Sequence, residues 1–344
     1  MRTLHLFNPG HDEELSAHTP YYTDTRAAQT LARALWDLPT LWANSGDEVL
    51  SLDGLRDFHR WQEFDAIAPW GWDAALWHRL TKYGAPSSLL PDAEQIETIR
   101  TLSSRKTAVK LLECLDKPDG VCSTFASTWE EVEAFVRTHG GAVAKAPWSS
   151  SGRGIQRIEA TPTLASRRRV ESFIKKQGGV SVEPFFHRLT DFALEFTAES
   201  DGQLHYEGMS LFLTNAHGAY VGNLVADDDT LCKQLHHFTL DTLQGLKSQI
   251  VTHLSPLLRN KYMGPVGIDM MQFEAQGQIF THPCIEINLR RTMGHVALSL
   301  RSRLQAGVRK ALFTLSPARQ APPTATLLCG QPDVLAAWWI PQAS

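Results

Sequence analysis

The segment Ile285-Glu-Ile-Asn-Leu-Arg-Arg291 constrains the chain most, because apolar and polar residues alternate through it. Successive side chains of a β-strand point to opposite faces. Ile285, Ile287 and Leu289 then share an apolar face, and Glu286 and Asn288 share the other. Upstream, Val266-Gly-Ile-Asp-Met-Met-Gln-Phe273 carries Asp269, and Ala275-Gln-Gly-Gln278 between the two segments predicts an antiparallel hairpin. Two carboxylates and a carboxamide oxygen on one face are hard ligands suited to Mg²⁺. A half-exposed strand facing solvent is the plain alternative, but it does not account for oxygen donors recurring on both strands.

A second segment, Ala142-Val-Ala-Lys-Ala-Pro-Trp-Ser-Ser-Ser-Gly-Arg-Gly-Ile155, ends a predicted strand on Lys145 and continues into a run of hydroxyls and glycines. Such a loop can turn backbone N–H groups and serine hydroxyls toward a polyphosphate, and the lysine adds a point charge. A solvated glycine-rich turn is equally compatible with this segment alone. The chain has no G-x-x-x-x-G-K-[ST], and Gly152-x-Gly154 lacks the third glycine of a dinucleotide fingerprint.

Strands alternating with helices over residues 1–95 predict a parallel α/β unit: a strand at Leu4–Phe7, a helix over 25–37, a strand at Asp65–Pro69 and a helix over 73–82. Residues 96–185 read as a compact α+β segment. It has two helices parted near Leu102-Ser-Ser104, a helix over 128–139, strands at 142–145 and 155–159, a helix over 163–177 and a strand at 180–182. Residues 186–316 are strand-rich, with helices expected over 239–254 and about 294–310. Residues 317–344, with five prolines, read as a wrapping or loosely held extension.

These segments resemble the ATP-grasp superfamily, in the style of D-alanine–D-alanine ligase, biotin carboxylase and glutathione synthetase. The order is similar: an α/β opening, a helix lysine, a strand-end lysine, a Ser/Gly loop, a hinge glutamate, an aspartate strand, then Glu-x-Asn. The resemblance implies an α/β N-terminal domain followed by an α+β ATP-grasp fold whose two subdomains clasp ATP. It implies that Lys145 and Lys106 reach the phosphates and that Ser149, Ser150, Ser151, Gly152, Arg153 and Gly154 form a lid. Glu183 would bond the adenine amino group, Phe185 or Phe186 would flank the base, and Asp191 would hold the ribose. Asp269, Glu286 and Asn288 would hold Mg²⁺, while Arg290 would steady acyl-phosphate oxygens; Arg153 is a further candidate for a charge beside the phosphates. The expected activity is joining a small carboxylate to an amine through an acyl phosphate, with release of ADP and phosphate. An ATP-grasp small-molecule kinase and a non-catalytic nucleotide-binding protein are the alternatives.

Two N-terminal motifs bear on substrate choice. Asn8-Pro-Gly-His-Asp-Glu-Glu14 follows the first strand, where α/β proteins form ligand sites, and its acids could hold an ammonium group or simply favour a helix N-terminus. It is similar to the Phe-Asn-Pro-x-x-Asp opening of bacterial ATP-grasp-like proteins. Pro69-Trp-Gly-Trp-Asp73 ends the next strand and offers Trp70 and Trp72 as pocket walls or packing residues.

A net charge of −4 gives no sign of a nucleic-acid binder. No apolar run is long enough to span a membrane. Five scattered cysteines without a C-x-x-C pair fit reduced thiols, so a cytoplasmic location is expected. A homodimer would be common for this class. His236-His237 and the basic residues Arg167-Arg-Arg169, Lys175 and Lys176 read as solvated surface.

Overall fold

A computed structural model describes residues 1–149, 154–215, 220–304 and 308–342. The chain begins with β1 (Thr3–Leu6), α1 (His11–Ala17), α2 (Arg26–Ala34), β2 (Glu48–Leu50), β3 (Ala66–Pro69) and α3 (Ala74–Lys82). The three strands pair in parallel in the order β2-β1-β3. Leu4, His5 and Leu6 are all buried, as in a parallel strand covered on both faces. Thr25 and Asp73 start α2 and α3 by accepting from the amides of Ala28 and Leu76. β2 was not predicted; three half-buried residues are too few to show a period.

Next come α4 (Ala93–Leu102) and α5 (Arg105–Cys114), parted at Ser103-Ser104 as expected, with the Ser104 hydroxyl accepting from the amide of Lys106. β4 (Thr124–Ala126), α6 (Trp129–His139), β5 (Gly141–Lys145), β6 (Ile155–Glu159), α7 (Leu164–Gln177) and β7 (Val180–Glu183) follow. Their strands form an antiparallel sheet in the order β4-β7-β5-β6. Thr128 and Glu131 make a capping box at the start of α6, and Gly140 ends it in the left-handed conformation, φ 71°. Val132, Val136 and Val170 from α6 and α7 bury one face of this sheet against Ala142, Ala144, Val180 and Val182.

The remainder comprises β8 (His187–Ala198), β9 (Leu204–Thr214), β10 (Tyr220–Val225), α8 (Asp228–Cys232), α9 (Leu240–Leu258), β11 (Gly264–Ala275), β12 (Gln278–Asn288), α10 (Met293–Ser299), β13 (Lys310–Ser316), β14 (Thr326–Gln331) and β15 (Leu335–Gln342). They build an eight-stranded sheet in the order β12-β11-β8-β9-β10-β13-β15-β14. The expected hairpin is present: β11 and β12 pair antiparallel around Gln276 and Gly277, both with positive φ. Phe192, Leu194 and Phe196 of β8 and Val266, Ile268 and Met270 of β11 face α5 and α9 in the largest core cluster. The residues between them on each strand, Asp191, Glu195, Gly267 and Asp269, therefore face the opposite way.

Two expectations are corrected. The helix expected at about 294–310 stops at Ser299, gives one further 3₁₀ turn over Leu300–Arg303, and is followed by the strand β13. Lys310–Ser316 buries Ala311 and Phe313, a strand period that the preceding helical spacing obscured. The proline-bearing tail is not a loose extension. It supplies β14 and β15, and Pro317, Pro322, Pro323 and Pro332 fall in the connections. Ala337 and Trp339 share a core with Phe7, Leu35 and Trp70, so the two ends of the chain are packed together.

Candidate active site

The four-stranded sheet and the site-facing side of β8, β11 and β12 enclose a cavity of about 450 Å³. Lys145 ends β5 and Glu183 ends β7, adjacent strands of one sheet. Lys145 Nζ lies 2.5 Å from Glu183 Oε1, and both side chains are buried. Asp191, also on the cavity wall, is salt-bridged to Arg188 at 3.1 Å. Burial pushes the Asp191 carboxyl up, with Arg188 and Lys145 opposing that shift. Phe185 is half exposed at the mouth beneath the Arg157 guanidinium, 3.9 Å from its ring centroid. Phe186 turns inward against Phe273 and His282.

On the cavity floor Asp269 is directly opposite Glu286 in the β11–β12 register, and Asn288 is opposite Gly267. The pleat thus brings the three proposed metal ligands onto one face, as the alternation predicted. Asp269 is pushed up to about 8 by burial first, then by the charges of Glu286 and Glu195. A carboxyl raised by burial and by a neighbouring carboxylate fits a divalent cation, which would relieve that repulsion. Among the described residues, no three His, Cys, Asp or Glu side chains cluster at metal-binding spacing. Asp269, Glu286 and Asn288 present two carboxylates and a carboxamide on one face. His236 and His237 are exposed, and the former pairs through its backbone with Gln272.

Ser149 lines the cavity, and Gly154 lies close by: its carbonyl accepts from the Ala146 amide, and a Cβ there would fall 2.4 Å from that of Ser149. Ser150, Ser151, Gly152 and Arg153 lie outside the described residues. Lys106 is set apart from the cavity, exposed and over the Phe125 ring at 5.3 Å. Its neighbour Arg105 enters instead. The Arg105 guanidinium is buried, donates to Glu286 at 2.7 Å and to the Ser149 hydroxyl at 2.8 Å, and also binds the Ala146 carbonyl. Its amide donates to the Pro147 carbonyl, which fastens α5 to the segment after β5. Two adjacent basic residues at the start of a helix did mark this place in the sequence. Which one turned inward depended on the helix phase.

Arg290 also behaves differently from a free oxyanion clamp. It makes a two-pronged pair with Asp12 of α1, at 2.9 and 2.8 Å. Burial alone would lower the Arg290 guanidinium, but Asp12 more than offsets this and raises it. Sequence reasoning did not find this contact across 278 residues. Arg290 nonetheless borders a narrow cleft shared with His11, Asp12, Ser149, Glu286 and Asn288.

No family model matches the sequence, and no curated protein matches it. Solved structures match its fold along nearly the whole chain, and these are ATP-grasp proteins. The chain has the ATP-grasp fold, with mixed helix and sheet content. It is similar to N5-carboxyaminoimidazole synthetase from Staphylococcus aureus complexed with ADP, at TM-score 0.54 and 11% identity over 99% of this chain and 93% of that one. It is similar to biotin carboxylase from Campylobacter jejuni in its β-γ-ATP complex, at TM-score 0.55 and 11% identity over 98% and 86%. The biotin carboxylase domain of Hydrogenobacter thermophilus 2-oxoglutarate carboxylase, bound to MgADP, ADP and bicarbonate, matches at TM-score 0.53 and 14% identity over 99% and 86%. No helix among the described residues is long and apolar enough to cross a membrane.

Proposed function

We propose that this chain is a Mg-ATP-dependent carboxylate–amine ligase working through an acyl phosphate. The observation that carries the reading is one cavity whose walls hold the Lys145–Glu183 pair and whose floor holds Asp269 and Glu286. In this reading the two sheets clasp ATP, with the base between Phe185 and the Glu183 end of β7. Asp191 holds the ribose, and Lys145 and Arg105 lie along the phosphates. Asp269, Glu286 and Asn288 would hold Mg²⁺, which when bound offsets phosphate charge and orients the transferred group. The solved structures bound to ADP, MgADP or an ATP analogue support the nucleotide assignment.

A carboxylate is a poor electrophile until phosphorylated, and catalysis then rests on positioning and charge. Arg290, aimed by Asp12, is placed to bind the substrate carboxylate through its remaining edge. Ser149, on the cavity wall, would help exclude water from the acyl phosphate. The test is nucleotide turnover with pooled carboxylates, amino acids and dipeptides. Equal release of ADP and phosphate that requires both a carboxylate and an amine is the expected result. ADP with a phosphorylated product and no free phosphate would replace the ligase with a kinase.

A further inference from the structure

The N-terminal motifs Asn8–Glu14 and Pro69–Asp73 are not used by the ATP site, yet the fold brings them together beside it. Asp73 is fully buried. Its Oδ1 caps α3 through the Leu76 amide, and its Oδ2 accepts from Asn8 Nδ2 at 3.1 Å and lies 3.2 Å from His11 Nδ1. Asn8 is itself fixed by donating to the Gly71 carbonyl at 2.8 Å. Residue 71 has no room for a side chain, because a Cβ there would lie 2.7 Å from three atoms of the His11 ring. The imidazole is thus held from two sides. Burial works against a charged Asp73, but hydrogen bonding from Glu14 and His11 outweighs it and keeps Asp73 low, while burial and the Asp73 charge push Glu14 up to about 11. A carboxylate at Asp73 only accepts, so Nδ1–H is the donor to it, and Nε2 is the acceptor nitrogen of that tautomer. Nε2 has no hydrogen-bond partner among the described residues. His11 borders the cleft that contains Asp12, Arg290, Glu286 and Ser149.

We propose that His11 is the general base for the amine acceptor, oriented by Asp73 and Asn8. This rests on the ligase reading above. The amine reaches the cleft as an ammonium ion and cannot attack until it loses a proton. His11 Nε2 takes that proton, and the nitrogen lone pair forms the C–N bond. The acyl C–O bond breaks, its electron pair leaves with phosphate, the second proton shed by the nitrogen goes to that phosphate, and the Asp73 carboxylate balances the imidazolium.

The experiment compares wild type with His11→Asn, whose amide can still donate to Asp73 but cannot accept a proton. The carboxylate and amine are those that support turnover in the pooled assay, and hydroxylamine serves as a second nucleophile that is already unprotonated at neutral pH. The expected result is loss of amide product by about 100-fold or more, with hydroxamate formation within about threefold of wild type. Equal loss of both products would make His11 merely structural and overturn the proposal, as would undiminished amide formation. Wild type giving no carboxylate-dependent hydroxamate would defeat the ligase reading and this base with it. Independently of folding in the variant, ¹⁵N NMR of histidine-labelled wild type is expected to show His11 protonated at Nδ1. Protonation at Nε2 instead would overturn the assignment.

Discussion

Lys145 and Glu183 are a buried pair, so removing one partner leaves an uncompensated charge. Lys145→Ala should cost roughly 3–5 kcal/mol in a denaturant titration, because Glu183 is then stranded. The double change Lys145→Met with Glu183→Leu should restore most of that stability and still bind no MgADP by calorimetry. Retained MgADP binding in the double variant would separate the pair from the nucleotide. Glu195 makes a pH prediction. It sits under α10, accepting from the Ser210 hydroxyl at 2.9 Å, with Oε2 3.1 Å from His295 Nδ1. That nitrogen accepts from the Thr292 amide, and burial holds His295 down to about 3, so the imidazole is neutral and offers Oε2 no proton. Burial pushes Glu195 from 4.5 up to about 7. An acid raised in the folded state stabilises fully below its unfolded value and loses that contribution as pH rises through its folded value. Stability should therefore fall between pH 4.5 and about 7, by something on the order of 3 kcal/mol from this group. Glu195→Gln should remove that part of the slope in pH-dependent unfolding curves, and an unchanged slope would rule Glu195 out.

At the scale of elements, what could be read from the sequence followed local periodicity. The Asp269–Glu286–Asn288 face was legible because a strand period of two and a Gln276-Gly277 turn fix both pairing and orientation. The helices that Thr25, Asp73, Ser104 and Thr128 cap were legible for the same local reason. Arg105, the Asp12–Arg290 pair and the His11–Asp73 pair were not, since each depends on elements distant in sequence meeting in space. The tail was read as a wrapping or loosely held extension because of its prolines, although most of them fall in the connections around two strands of the large sheet. Removing residues 326–342 strips β13 of its outer neighbour and takes Ala337 and Trp339 from a shared core. The truncated chain should be insoluble or fail to unfold cooperatively, as followed by far-UV circular dichroism during heating. A soluble, cooperatively folded truncation would show β14 and β15 to be dispensable.

The whole molecule ties its chemistry together through its termini. Phe7, just after the first strand, the tail and α10 share one core, while His11 and Asp12 from the N-terminal unit meet Arg290 just beyond the β11–β12 hairpin. Acid and amine would then be gathered where the α/β unit abuts the ATP cavity, and phosphorylation and amine attack would occur within one cleft. The central claim is the acyl phosphate. It is tested most directly with a carboxylate that supports turnover, labelled with ¹⁸O in both oxygens, by mass analysis of the phosphate released. Activation through an acyl phosphate predicts one ¹⁸O in each phosphate formed with ADP. Phosphate free of label, in the presence of amide product, would contradict it.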